Sequence, residues 1–185
     1  SIGAANATLY AKWKPLTISI AFDEEGGTTT SPETIYRDYN TAYGTLPTTT
    51  RTGYTFAGWW TGDNGTGTQV ISTTTVTATN WHTLYAKWTP NTNTAYKVEH
   101  YQQDVSGSGY TLFETENLSG VTDTLAAAVY KIYTGFTKDE SNSSTVATGT
   151  IAANGSLVLK LYYDRKTYTV TFQSNGGSAV ASYTG

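Results

Sequence analysis

The sequence predicts a string of small, strand-dominated α+β domains, and three observations carry that expectation. The pentapeptide Leu-Tyr-Ala-Lys-Trp occurs twice, at residues 9–13 and 84–88. That spacing of about 75 positions exceeds solenoid periods and suits one small autonomous domain per repeat. The composition favours sheet: roughly one residue in five is Thr, and 15 Tyr and 5 Trp stand against 5 Phe. Apolar residues also alternate with period two along several short segments bounded by Gly, Pro and Asn.

Taken in order, residues 1–14 read as the closing strand of a preceding repeat, with the strand itself at 8–13. Residues 16–22 alternate, placing Ile18, Ile20 and Phe22 on one face. Asp23-Glu24-Glu25-Gly26-Gly27 supplies a hairpin turn with the glycine that positive φ requires, and residues 28–34 are the return strand. Residues 35–46 fit either a short helix or an ordered crossover loop, because Ile35, Tyr39 and Tyr43 recur at helical spacing while Asn40 and the tyrosines form helix poorly. Pro47 and three threonines end that element. Residues 54–60 form a strand with a bulge at Gly58, 61–67 a loop, 70–79 an extended stretch, and 82–88 the closing strand with Leu84, Ala86 and Trp88 on one face.

Residues 89–94 have linker composition, and beyond them the pattern repeats. Residues 96–103 are a strand, 106–109 a turn and 110–118 the return. Residues 121–133, with Leu125, three alanines and Val129, are the best helix candidate, capped by Thr122 or Asp123. Tyr133-Thr134-Gly135-Phe136-Thr137 mirrors Arg51-Thr52-Gly53-Tyr54-Thr55. Asn154-Gly155 is a tight turn, and 156–164 is a closing strand with Leu157, Leu159, Leu161 and Tyr163 inward. The domain reading is therefore 1–14, 15–90, 91–166 and 167–185, the last being the opening hairpin of a following repeat. Each whole domain reads as hairpin, crossover, strand and final strand, with the last strand beside the first. That is the β-grasp (ubiquitin-like) arrangement, a small sheet covered on one face by a helix or loop.

Composition also excludes. A net charge of -3 with no Lys/Arg cluster disfavours nucleic acid. No apolar run reaches membrane-spanning length. The chain has neither Cys nor Met, which removes disulfides and thiolate metal sites and suits an oxidising exterior.

Gly53-Tyr54-Thr55-Phe56-Ala57-Gly58-Trp59, followed by Leu84-Tyr85-Ala86-Lys87-Trp88, resembles the internalin-type B repeat, or Listeria–Bacteroides repeat, over residues 15–90. Tyr168 to Gly177 is similar to the opening of another copy. Residues 94–166, with Tyr96-Lys97-Val98-Glu99-His100-Tyr101 and the closing 159–164 segment, resemble the mucin-binding-protein (MucBP-like) repeat. Both resemblances imply β-grasp domains strung along large bacterial surface proteins. The turn Glu24-Glu25-Gly26-Gly27 departs from the family's usual Asn-Gly-Gly.

No constellation reads as catalytic. His82 and His100 sit in different domains and have no nearby Cys or acidic partner, so both read as packing or surface residues. The carboxylates of Asp23-Glu24-Glu25 and Asp139-Glu140 read as solvated turns, since a glycosidase needs two facing each other across a cleft. Asp63-Asn64-Gly65 lacks the remaining ligands of a calcium loop. Asn64-Gly65-Thr66 and Asn154-Gly155-Ser156 are sequons best read as turn chemistry. Trp59 and Trp88 are expected in cores. Trp60 and Trp81 are open between surface contact, inter-domain contact and glycan stacking. The expectation is a non-catalytic stalk and interaction segment of an extracellular, cell-surface adhesin, without cofactor or metal. Its partners would be neighbouring repeats and a host glycan, mucin or surface protein. Head-to-tail self-association through the incomplete end repeats is a further expectation.

Overall fold

The computed structural model describes residues 8–184. The chain divides into two compact units, Ser1–Thr89 and Pro90–Gly185. Both are built from strands. Among the described residues there is no α-helix, and the helical share expected from the sequence is replaced by extended loops; a three-residue 3-10 turn at Asp63–Gly65 is the nearest approach.

Unit 1 contains β1 (Thr17–Asp23), β2 (Thr34–Asp38), β3 (Tyr54–Gly62), β4 (Thr66–Val70) and β5 (His82–Pro90), in the sheet order β2-β1-β5-β3-β4. β1 pairs antiparallel with β2 and parallel with β5. The alternation of β1 buries Ile18, Ile20 and Phe22, and the same parity in β5 buries Leu84 and Ala86. Trp59 fills the middle of this core at 1% exposure, tilted against Phe22 with centroids 4.6 Å apart, and its indole N–H donates to the Pro47 carbonyl at 2.7 Å. Trp88 packs against the same cluster and donates to the Glu24 carbonyl at 2.9 Å. The second layer consists of two extended segments. Asn40 N–H donates to the Val76 carbonyl, Val76 N–H to the Thr41 carbonyl and Tyr43 N–H to the Thr74 carbonyl, so Tyr43 and Val76 are buried over the sheet without a helix.

Four local expectations change. Residues 8–13 form no strand, and Leu9 is 94% exposed, although its twin Leu84 is fully buried. The pentapeptide becomes a strand only where β1 and β3 flank it, because ladder partners rather than local propensity hold a strand. The return strand starts at Thr34, not 28: Pro32 offers no ladder donor, and Thr28 bonds Thr50 instead, N–H to carbonyl at 2.8 Å. Of the two readings left open for 35–46, the crossover loop holds from 39 onward while 35–38 belong to β2, with Tyr39 half exposed and Ile35 and Tyr43 buried. Gly58 does take positive φ (104°), but the register shift of β3 against β4 falls between Trp60 and Gly62, so 61–67 is a hairpin end rather than a free loop.

Unit 2 contains β6 (Thr94–Gln103), β7 (Tyr110–Gly120), β8 (Leu125–Ala127), β9 (Phe136–Lys138), β10 (Thr148–Thr150) and β11 (Val158–Arg165). Its main sheet runs β7-β6-β11-β9, with β6 and β11 parallel. β8 and β10 pair antiparallel as the second layer, extended by a bond from Ala128 N–H to the Ala147 carbonyl. The helix expected at 121–133 is therefore absent. Its helical stripe, Leu125, Val129 and Ile132, points to solvent (Ile132 is 100% exposed), whereas Ala126, Ala128 and Tyr130, two apart, meet the core. Asp123 takes φ 62°, outside the extended conformation of a helix N-cap.

The mirrored turns hold. Tyr54 N–H donates to Arg51 and Phe136 N–H to Tyr133, both at 3.1 Å, around Gly53 and Gly135 with φ near 80°. After unit 2's main sheet, β12 (Thr169–Val170) and β13 (Tyr183–Thr184) pair in a small hairpin. It contains Ser174-Asn175-Gly176-Gly177, whose Gly177 N–H bonds Ser174 at 2.9 Å. Gly27 bonds Glu24 at the same distance, and Glu25/Gly26 match Asn175/Gly176 in positive φ. The substitution of Glu-Glu-Gly-Gly for Asn-Gly-Gly leaves the turn intact.

Candidate functional site

The strand parity that buries Trp59 turns Trp60 outward. Its ring is half-buried, with the Lys87 ammonium 4.0 Å from the centroid, a cation–π contact across β3 and β5. Trp81, immediately before β5, is 76% exposed. Lys87 lies six residues further along β5, about 20 Å at strand rise, so the two rings do not form one stacking platform.

The two histidines separate sharply. His82 Nε2 lies 2.8 Å from the Tyr43 hydroxyl at the edge of the core. His100 is fully buried and has the acidic partner that the sequence reading did not assign: Nε2 is 3.0 Å from Glu116 Oε2, and Nδ1 is 2.8 Å from the Tyr163 hydroxyl. The Tyr163 oxygen also accepts Lys131 N–H at 2.9 Å. One assignment satisfies every group: Tyr163 O–H donates to Nδ1, and Nε2–H donates to the carboxylate. Lys131 Nζ then bridges Glu114 at 2.6 Å and Glu116 at 2.8 Å, and the Tyr133 hydroxyl donates to Glu114 at 2.6 Å.

The bonds from Lys131, then Tyr133, hold the Glu114 carboxyl below its ordinary range; Lys131, then His100, do the same for Glu116. Glu114 and then Glu116 raise the Lys131 ammonium. Burial raises the Tyr163 phenol. On the outer face of the same sheet, the Glu99 carboxylate accepting from Tyr101 pushes that phenol up to about 12.

Register explains the cluster. Glu114 and Glu116 stand opposite His100 and Val98, so both point to the core side of β7, the edge strand. Inward-pointing charges and a bulge both discourage another chain from adding to an edge, and β7 has both, since its register shifts at Phe113. The hairpin pairs Gln103 with Tyr110 and Tyr101 with Leu112, and only the bulge that skips Phe113 sets His100 opposite Glu114, so the sequence carried no direct signal of the cluster. His100 is closed to solvent, and the network ties β7, the crossover and β11 together.

The carboxylate pairs read as turns are turns. Glu24 accepts Thr30 N–H at 2.7 Å and Glu25 accepts Asn64 N–H at 2.9 Å, tying separate loops together. Asp139 accepts from Ser141, and Tyr110 lies between Asp139 and Asp164 at 3.1 and 2.6 Å. Among the described residues no group of three or more metal-ligating side chains converges.

In each unit the first and last main-sheet strands lie side by side and parallel, over residues 20–23 of β1 and 158–163 of β11. Their outer ends consequently leave the sheet at opposite poles.

Residues 19–87, spanning β1 to β5, match the model of the Listeria-Bacteroides repeat domain. Two proteins of Evansella cellulosilytica are similar over nearly the whole chain. A "Putative Gly-rich membrane protein" is 27% identical over 177 residues, 95% of this chain and 19% of its own length. A "Putative membrane protein" is 26% identical over 175 residues, 94% of this chain and 25% of its own. The chain thus spans about a fifth to a quarter of the length of these curated relatives. Among the described residues no helix is long and apolar enough to cross a membrane. A recognised repeat thus occupies residues 19–87, and the chain as a whole is similar to stretches of two longer proteins whose names call them membrane proteins.

Proposed function

We propose that this segment is a non-catalytic stalk of a bacterial cell-surface adhesin, built from tandem β-grasp units that hold a distal binding region away from the envelope. The supporting observation is the parallel pairing of first and last strands in both units. Tension applied to the two ends of such a unit pulls neighbouring strands past each other, so the evenly spaced ladder bonds share the load together. An antiparallel pairing of the same strands would open one bond at a time.

The cysteine-free sequence makes a direct test simple, because two introduced thiols define the pulling axis. Unit 1 pulled through Thr17→Cys and Thr89→Cys loads the β1–β5 pair in shear. Pulled through Thr17→Cys and Trp81→Cys, it peels the same pair apart from one end. Severalfold higher rupture force along the first axis is expected; equal forces would refute the stalk reading.

A glycan- or mucin-binding role is the second reading, favoured by the exposure of Trp81 and by the resemblance of the 94–166 sequence to MucBP-like repeats. Because Trp60 and Trp81 stand apart, each would act as a weak single contact strengthened by repetition along an array. A glycan array with purified protein tests it: reproducible binding abolished by Trp81→Ala supports it, and signal indifferent to both Trp60→Ala and Trp81→Ala removes it.

A further inference from the structure

We propose that unit 2 carries a site for an acidic sugar, a carboxylate-bearing pyranose ring, in the trough where the end of β11 meets the β6–β7 turn. The site is independent of the stalk reading and of Trp60 and Trp81.

A cavity of about 400 Å³ opens there, lined among others by Asp104, Val105, Arg165, Lys166 and Tyr168. A smaller one of about 150 Å³ adjoins it, sharing Gln103, Asp104 and Arg165 and reaching Phe113. The larger volume lies in the range of small-ligand sites, and the pair makes an elongated trough with Arg165 at its middle.

Arg165 is already fixed in place. Its Nε–H donates to the Gln103 carbonyl at 2.9 Å, its backbone N–H donates to Gln103 Oε1 at 3.0 Å, and its guanidinium lies 5.0 Å from the Phe136 ring centroid. The two terminal amino groups of that guanidinium make no hydrogen bond among the described residues. A guanidinium held by its Nε side, with its outer fork unused, is a preorganised receptor for a planar carboxylate.

Lys166 follows directly, and its backbone is pinned to the Gly135 carbonyl at 2.9 Å. Two cations face one carboxylate, Asp104, so the trough carries one net positive charge, which suits a monoanion better than a phosphate dianion. Asp104 Oδ1 is taken by Thr111 at 2.7 Å, which leaves Oδ2 to accept a ligand hydroxyl. Tyr168, 62% exposed, offers a ring face for the apolar side of a sugar, and Phe113, 59% exposed, offers another beyond Arg165. Carboxylate receptor, hydroxyl acceptor and stacking ring together describe an acidic sugar; a simple carboxylate would use only the first.

The test is a titration of the full chain with glucuronate, glucose and acetate, followed by two-dimensional NMR that includes the Arg165 Nε–H resonance. Glucuronate is expected to bind in the millimolar range and shift that resonance and the amides of Asp104 and Tyr168, at least tenfold more tightly than glucose or acetate. Arg165→Gln should weaken it at least tenfold and Tyr168→Ala severalfold, while Arg51→Gln in unit 1 leaves it unchanged. Should Arg165→Gln disturb the spectrum of unit 2, Lys166→Gln reports instead, lowering affinity severalfold. Glucuronate binding no better than glucose, or unaffected by these substitutions, overturns the site; acetate binding as tightly as glucuronate overturns the assignment of a sugar.

Discussion

Unit 1 and unit 2 put different chemistry at equivalent places in the same framework. Aligning their parallel strand pairs sets Phe22 opposite Leu84 in one and His100 opposite Leu161 in the other. The next inward positions of the closing strands are Ala86 and Tyr163. Unit 1 keeps that position small because Trp59 on β3 supplies the bulk, and the indole N–H finds a single carbonyl. Unit 2 has only the three-residue β9 in place of β3 and supplies the bulk from β11 as Tyr163. A buried hydroxyl needs partners, and satisfying it draws in His100 and Lys131 N–H. His100 in turn needs Glu116, and Lys131 balances both glutamates. One exchange of an aromatic residue between strands thus accounts for a six-residue polar network in unit 2 that has no counterpart among the described residues of unit 1.

The largest effect is expected from Trp59→Ala, which empties the centre of unit 1 at a cost of about 3–5 kcal/mol. In chemical denaturation the transition of unit 1 should shift to low denaturant or vanish, with that of unit 2 unmoved. Exchanging the equivalent residues sharpens the comparison further. His100→Phe leaves Tyr163 and Glu116 without their shared partner and should cost unit 2 about 1–3 kcal/mol, despite the gain in apolar surface. A neutral result would show the network to be incidental.

Acid should separate the units next. The folded-state pKa values of Glu114 and Glu116 lie below their unfolded ones, so their contribution is present above about pH 4 and is lost as pH falls through the depressed values. Lys131, raised in the folded state, contributes below its unfolded value and loses that contribution at high alkaline pH. Unit 2 is therefore expected to weaken at both extremes, and Lys131→Met should flatten both limbs in a pH series of unfolding midpoints. In unit 1, burial works against the Glu24 carboxylate but the Thr30 hydrogen bonds outweigh it, while in unit 2 Asp139, whose own burial is outweighed by Ser141, Asn142 and Tyr110, joins Glu114 and Glu116. The smallest effect is expected from Ile132→Thr, within about 0.5 kcal/mol, because that side chain lies in solvent. A cost of several kcal/mol would mean that residues 121–133 are helical after all.

Period-two alternation was enough to place β1, β5 and β11, because each turns a row of apolar residues to the core, although Tyr162 on the opposite face of β11 is buried as well, against Tyr101 and Tyr110. The crossovers misled for a physical reason. Leu125, Val129 and Ile132 make a helical stripe in sequence, yet the opposing segment 147–151 offers ladder bonds that fix the backbone extended and bring the small Ala126 inward. Propensity lost to tertiary hydrogen bonding. Residues 8–13 show the converse, a strand sequence without strand neighbours. The outward direction of Trp60 was legible from strand parity. The His100 network was not, since its members come from four separate segments and only hairpin register brings two of them together. The Arg165 trough was equally hidden, because it depends on where three turns converge.

The central claim, that two separately folded units each carry load across a parallel pair of end strands, meets its most direct test in stretching the whole chain by its termini at constant velocity. Two discrete events are expected, each releasing about 3.6 Å of contour per residue of one unit. The unit 1 event should come first, because its end-strand pairing is shorter than that of unit 2. A single event releasing both units at once, or smooth extension without a force peak, would contradict the account.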